Sequence, residues 1–245
     1  MTNITNTHTK YQIPAYVAGK ENNRAGIILI HEVWGLNKNI RSLTDRLAAQ
    51  GYLVLAPDLI SHTGITEKID QSILAEAANP ATRDEAQKKM RAVMTPIRSE
   101  EFGRETIERL KICFDCLRQE YNLPKIAVMG FCFGGTYSYS LAINEPELAA
   151  ALAFYGHAPE KEKEIAKISC PIMAFYGEKD TALVQDLQRL QNSMKKFKKD
   201  FRFKVYPNTG HAFMNDTNPT TYNKEAADDA WKEALQFLKA HVRST

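Results

Sequence analysis

Ile126-Ala127-Val128-Met129-Gly130-Phe131-Cys132-Phe133-Gly134-Gly135 is the stretch that decides how this chain is read. Four apolar residues lead into G-x-C-x-G, and Thr136-Tyr137-Ser138-Tyr139-Ser140-Leu141 follow as a pattern that can open a helix. Strand, tight turn and helix in that order are the setting of a nucleophile elbow, with cysteine where serine usually sits. So sharp a turn needs small flanking residues, because a Cβ there would clash. The central side chain is pushed out above the sheet edge, over the first turn of the next helix. Unpaired N–H groups at that turn favour an anion. Cys132 is therefore read as a thiolate nucleophile.

Outward from this stretch, short apolar runs alternate with longer helical patterns. Strands are expected at Ala25–Ile30, Tyr52–Ala56, Ile126–Met129, Ala149–Phe154, Ile172–Tyr176 and Phe203–Tyr206, several as continuous apolar runs suited to burial on both faces. Lys10–Val17 reads as an edge strand, a place that Pro14 supports. Helical spacing covers Asn39–Gln50, Glu100–Tyr121, Leu183–Phe197 and Asn223–Val242. The alternation predicts an α/β protein with a doubly wound, mostly parallel sheet and helices on both faces. Residues 61–99 break the rhythm with two polar helical segments, Thr66–Ala78 and Thr82–Met94. They are read as a helical excursion near the active-site mouth. No Gly/Ser/Pro linker divides the chain, so residues 1–245 are expected to form a single domain.

Composition narrows the function classes. The 245 residues are 44% hydrophobic and 25% charged, which suits a folded domain with a sizeable core. Net charge is +3, from 32 Lys+Arg against 29 Asp+Glu, and points to neither nucleic acid nor membrane. No apolar run reaches the roughly 18 residues of a membrane span. The polar start, Met1 to Lys10, does not read as a signal peptide, so a cytoplasmic location is expected. The 4 cysteines, Cys113, Cys116, Cys132 and Cys170, are too few for a disulfide framework. Cys113-x-x-Cys116 falls inside a helical pattern and reads as packing. Asn215-Asp216-Thr217 matches a glycosylation sequon that carries no meaning without secretion.

A nucleophile needs a base, and the base an orienting group. In sheets of this kind both lie on loops after later strands, in the order nucleophile, acid, histidine. Asp180 ends Phe175-Tyr176-Gly177-Glu178-Lys179-Asp180 just past a strand, with Glu178 as the competing acid. His211 lies in Tyr206-Pro207-Asn208-Thr209-Gly210-His211-Ala212-Phe213. The loop His31-Glu32-Val33-Trp34-Gly35-Leu36-Asn37 follows Ala25–Ile30, where a second oxyanion donor is supplied. The backbone N–H groups of Phe133 and Val33 are the expected oxyanion hole. Glu32 is expected to point at Cys132 and modulate it, opposing thiolate formation or taking its proton. His31 is expected to brace the loop. Trp34 and Tyr155 are placed along the substrate pocket, and so is Asn215.

These segments resemble the dienelactone hydrolase (carboxymethylenebutenolidase) family of the α/β-hydrolase superfamily. The elbow Gly130–Gly135, the His31–Gly35 loop, Gly51-Tyr52-Leu53-Val54-Leu55-Ala56-Pro57-Asp58-Leu59, the Asp180 segment and Gly210-His211-Ala212-Phe213 all match, from Ala25 to Val242. The resemblance implies the α/β-hydrolase fold and a Cys132–His211–Asp180 triad. Members that cleave dienelactones carry an arginine four residues after the histidine to hold the substrate carboxylate; here that place is Asn215. A second such arginine belongs to the excursion, where Arg83, Arg91 and Arg98 all stand.

A thiol also restricts the substrate. Thiolate attack on an alkyl ester tends to reverse, because sulfur is the better leaving group. Enolates, phenolates and thiolates leave forward instead. The expected activity is thus hydrolysis of activated carboxylic esters or lactones through an acyl-thioester, on a small molecule, with no metal or cofactor. The expected assembly is a monomer or small homo-oligomer. The alternative is a non-hydrolytic ligand-binding or sensor protein that keeps the fold.

Overall fold

The computed structural model describes residues 1–5, 11–20, 25–68, 85, 88–89 and 92–242. Eight strands form one sheet: β1 (Thr2–Thr5), β2 (Gln12–Ala18), β3 (Ala25–Ile30), β4 (Leu53–Pro57), β5 (Lys125–Phe131), β6 (Ala150–Phe154), β7 (Ile172–Gly177) and β8 (Phe201–Tyr206). Their order is β1-β2-β4-β3-β5-β6-β7-β8. β1 and β2 join antiparallel, and the strands from β4 to β8 run parallel. The central strands β3 to β7 are buried along nearly their whole length, as continuous Val/Ile/Leu/Ala runs require when helices cover a parallel sheet.

The helices begin where side chains can accept the free N–H groups of a first turn. Asn37 caps Lys38–Ala49 by accepting from Ile40, and Ile40, Leu43 and Leu47 turn to the core. Ser99 caps Glu100–Asp115 at Phe102, and Asn223 caps Lys224–His241 at Ala226. The expected helix to Tyr121 is α-helical to Asp115 and closes as a π-turn over Cys116–Glu120. Cys113 and Cys116 are buried and unpaired in this region, and burial pushes both thiols well up, Cys116 to about 12. Both pack as core residues.

Two expectations need correction. β2 is not an edge strand: β1 pairs outside it, with Asn3 opposite Pro14. The four residues of β1 are polar except Ile4, so the strand rests on backbone pairing and one buried side chain. Such a segment carries no apolar alternation to read. At the opposite edge, β8 begins at Phe201, two residues before the expected start.

Most of the excursion, including the bulk of Thr66–Ala78 and Thr82–Met94, lies outside the described residues. Its described start packs on the loop after β3. A Cβ added to Gly35 would stand 3.3 Å from Thr66 Cγ2 and 3.7 Å from Ile60. His62 stacks on Phe102, whose ring meets that of Phe133 at the elbow. Among the described residues no helix is long and apolar enough to cross a membrane.

The glycines differ in what they permit. A Cβ on Gly134 would fall 2.3 Å from the carbonyl oxygen of Ile30, whereas one on Gly103 meets nothing nearer than 3.8 Å. Gly134→Ala is expected to lose about 3 kcal/mol or more in urea unfolding, by forcing backbone apart. Gly103→Ala is expected to be neutral or to gain about 0.5–1 kcal/mol from helix propensity.

Candidate active site

The elbow joins β5 to the helix Phe133–Asn144. Cys132 sits between them with φ 54° and ψ −111°, a conformation that only a surrounding lattice of bonds holds in a residue with a Cβ. Its N–H donates to Phe154 O at 2.9 Å and its carbonyl accepts from Thr136 N at 3.1 Å. A Cβ on Gly130 would lie 2.0 Å from Gly134 O, and one on Gly156 would lie 2.2 Å from Gly135 C. Three backbones thus pack without intervening side chains. The N–H of Gly134 donates to His31 O at 3.1 Å and ties the elbow to the loop after β3.

His31 organises that loop. Leu59 N–H donates to His31 Nε2 at 3.0 Å, so Nε2 carries no proton and Nδ1–H donates to Glu32 O at 2.6 Å. Burial lowers the pKa of this imidazole, in keeping with the neutral tautomer the bonds require. The ring stacks on Phe133 at 5.7 Å. Glu32 O also accepts from Gly35 N, and Gly35 makes the turn at φ 73°. Neither Phe133 N–H nor Val33 N–H is bonded to an acceptor among the described residues. Phe133 opens its helix, where such a donor has no intrahelical partner.

Asp180 occupies the N-cap of the helix Thr181–Lys196, yet its side chain makes no capping bond. Its carboxylate instead hydrogen-bonds His211 Nδ1. The histidine loop docks on the end of β7: Lys179 N–H donates to Thr209 O, and a Cβ on Gly177 would lie 2.5 Å from Gly210 O. Glu178 accepts from Asn208 N–H at 2.8 Å and so braces this loop, away from the imidazole. Cys132 lies near enough to the His211 ring to act on its titration as a hydrogen-bonding, negative partner. Burial alone would lower the His211 pKa, but the hydrogen bonds and negative charge of Asp180 and Cys132 together raise it to about 10.

Beneath this set lies a buried carboxylate. Glu32 is 1% exposed. Burial raises its pKa, while Tyr155, the charge of His211 and Asn215 oppose the rise. Tyr155 OH donates to Oε1 at 3.1 Å and Asn215 Nδ2 to Oε2 at 3.2 Å. Asn215 Oδ1 is engaged by Thr217 N and Thr217 Oγ1, which fixes which end of the amide faces Glu32. The Tyr155 ring packs 5.0 Å from that of His211, and its hydroxyl feels the charges of both Glu32 and Cys132.

The fold therefore brings Cys132, His211 and Asp180 to one sheet edge with Glu32, Tyr155 and Asn215. Trp34 is 37% exposed at the rim. Arg98 is exposed in the short turn Pro96–Arg98, and Arg83 and Arg91 lie outside the described residues. Thr217 was missed from the sequence. Its signal was present: Asn-x-Thr, read as a sequon, is also the pattern of an Asx turn, in which an asparagine oxygen accepts from the backbone two residues on. Among the described residues no cluster of three His, Cys, Asp or Glu could hold a metal ion.

A mostly parallel sheet with an elbow after its central strand defines the α/β-hydrolase fold. Solved structures agree. A dienelactone hydrolase from Anabaena variabilis superposes with TM-score 0.69 at 14% identity, over 99% of this chain and 97% of that one. A dienelactone hydrolase-like promiscuous phosphotriesterase from metagenomic libraries gives TM-score 0.74 at 19% identity, over 98% and 97%. At these identities the likeness is one of fold. The model of the dienelactone hydrolase family matches residues 13–242, and the chain belongs to that family. A Saccharolobus solfataricus relative, named provisionally as a carboxymethylenebutenolidase, is 34% identical over 93% of this chain and 94% of its own length.

In an imidazole NMR titration His211 is expected to titrate near pH 10, and Asp180→Asn to lower that value clearly by removing one of the two stabilising partners. The ordinary value of an unfolded histidine is about 6.5. The stability His211 contributes is therefore complete below about pH 6.5 and lost as pH rises through about 10. Urea unfolding at pH 6 and pH 9.5 should show that part of the decline reduced in Asp180→Asn.

Proposed function

We propose that this chain is a cysteine-dependent hydrolase of activated carboxylic esters or lactones, acting through an acyl-thioester within a single α/β-hydrolase unit. The supporting observation is Cys132 at a strained elbow with His211, itself hydrogen-bonded to Asp180, responding to it, and with the Phe133 and Val33 N–H groups without an acceptor among the described residues. With His211 beside it as the imidazolium, Cys132 attacks the carbonyl carbon as the thiolate. Asp180 holds His211 in orientation and stabilises the imidazolium. The N–H groups of Phe133 and Val33 receive the oxyanion, a stabilisation of several kcal/mol in such sites. When the tetrahedral adduct collapses, an enolate, phenolate or thiolate departs and takes a proton from His211 where it needs one. Water, deprotonated by His211, then attacks the thioester, and the thiol is regenerated. Trp34 and Tyr155 are assigned to the substrate pocket. Asn215 acts through Glu32, which modulates the nucleophile.

Cys132→Ala and His211→Ala are each expected to reduce kcat/KM for an aryl ester by about 1,000-fold or more. Wild-type-like turnover in either variant would remove the proposal. Wild-type enzyme is expected to prefer an aryl ester over the matched ethyl ester by at least about 100-fold, measured at equal acyl group.

A further inference from the structure

We propose that the carboxylate of Glu32, clamped in place beside the reaction centre, makes this site selective for esters whose acyl portion carries no negative charge. The inference rests on the hydrolase reading and specifies its substrate class.

The clamp sets the charge state. Asn215 offers Glu32 only N–H groups, because Thr217 N–H, which can only donate, has engaged its oxygen. Tyr155 OH donates its hydrogen to Glu32 Oε1. Both carboxylate oxygens therefore accept hydrogen bonds, which is the pattern of the ionised form. Tyr155 itself stays neutral, its pKa raised well above the ordinary value by burial and by the charges of Glu32 and Cys132. The clamp also fixes position. At 1% exposure Glu32 has no solvent in which to turn away or be screened.

The charges can then be summed. In the reactive form of the proposed mechanism, a Cys132 thiolate beside a His211 imidazolium, the pair is neutral. Asp180 and Glu32 add one negative charge each. Among the described residues, no lysine or arginine is hydrogen-bonded or ion-paired to Glu32, Asp180, Tyr155 or His211. Among the described residues, the positive charge that acts on Glu32 is that of His211. An acyl group bearing a carboxylate would add a third negative charge; the oxyanion takes over the charge of the attacking sulfur and adds none. A neutral acyl group avoids that penalty. Among the described residues the partners of Glu32 are two neutral donors, and none of them is a cation that an anionic substrate could meet.

The test compares two matched substrates, 4-nitrophenyl hemiadipate and its methyl ester, at low ionic strength and with spontaneous hydrolysis subtracted. The methyl ester is expected to have a kcat/KM about tenfold or more above that of the anion. The ratio should shrink in Glu32→Gln, whatever that change does to the absolute rates. It should also shrink in wild-type enzyme when the charge is moved away, in the longer 4-nitrophenyl hemisebacate and its methyl ester, a measurement that needs no variant to fold. Equal or faster turnover of the anion would overturn the inference and leave the hydrolase reading standing. A ratio unaffected by both Glu32→Gln and the longer acyl chain would show that charge at Glu32 is not its cause, and would also overturn it. Failure to turn over either ester would overturn the hydrolase reading and the inference with it.

Discussion

The close approach of Gly134 to the carbonyls of Ile30 and His31 is the constraint on which the site depends. With no Cβ in the way, the helix that starts at Phe133 abuts the end of β3, and one hydrogen bond from Gly134 to His31 locks the two together. That contact fixes the elbow and the first loop as one unit. It sets Cys132 in its left-handed conformation and brings Phe133 N–H and Val33 N–H to the same end of the sheet. Gly156 and Gly177 repeat the device at β6 and β7, where backbone again meets backbone and the Asp180 and His211 loops are drawn in. Position at this site is thus held by main chain. The reacting groups are free to be chosen for chemistry.

The electrostatics follow from that placement. Asp180 lies at a helix start, where a carboxylate is favoured by the free N–H groups, yet its side chain is turned to His211. His31 is kept neutral by burial and by the N–H of Leu59, and it braces the loop after β3. His211, hydrogen-bonded to Asp180, has its pKa raised instead, so two histidines at one end of the sheet shift in opposite directions.

The central sheet was legible because its strands are uninterrupted apolar runs, and the elbow because its glycines are required by geometry. The pairing of Asp180 with His211 was legible from order along the chain: each stands just past a strand. What sequence could not give was anything held by backbone alone or by partners far apart. β1 has one buried apolar side chain and no period. Pro14 suggested an edge that β1 in fact covers. Asn215 was expected on the substrate pocket; it is buried against Glu32, 183 positions away, a contact that no local pattern announces.

The central claim is that sulfur carries the acyl group. Intact-protein and peptide mass spectrometry, after mixing with an aryl ester and quenching in acid within the first turnover, tests it most directly. The account predicts an acyl adduct on Cys132 that builds up within the first turnover and disappears as substrate is exhausted. Turnover of the ester with no adduct on Cys132, or with the adduct on another residue, would contradict it.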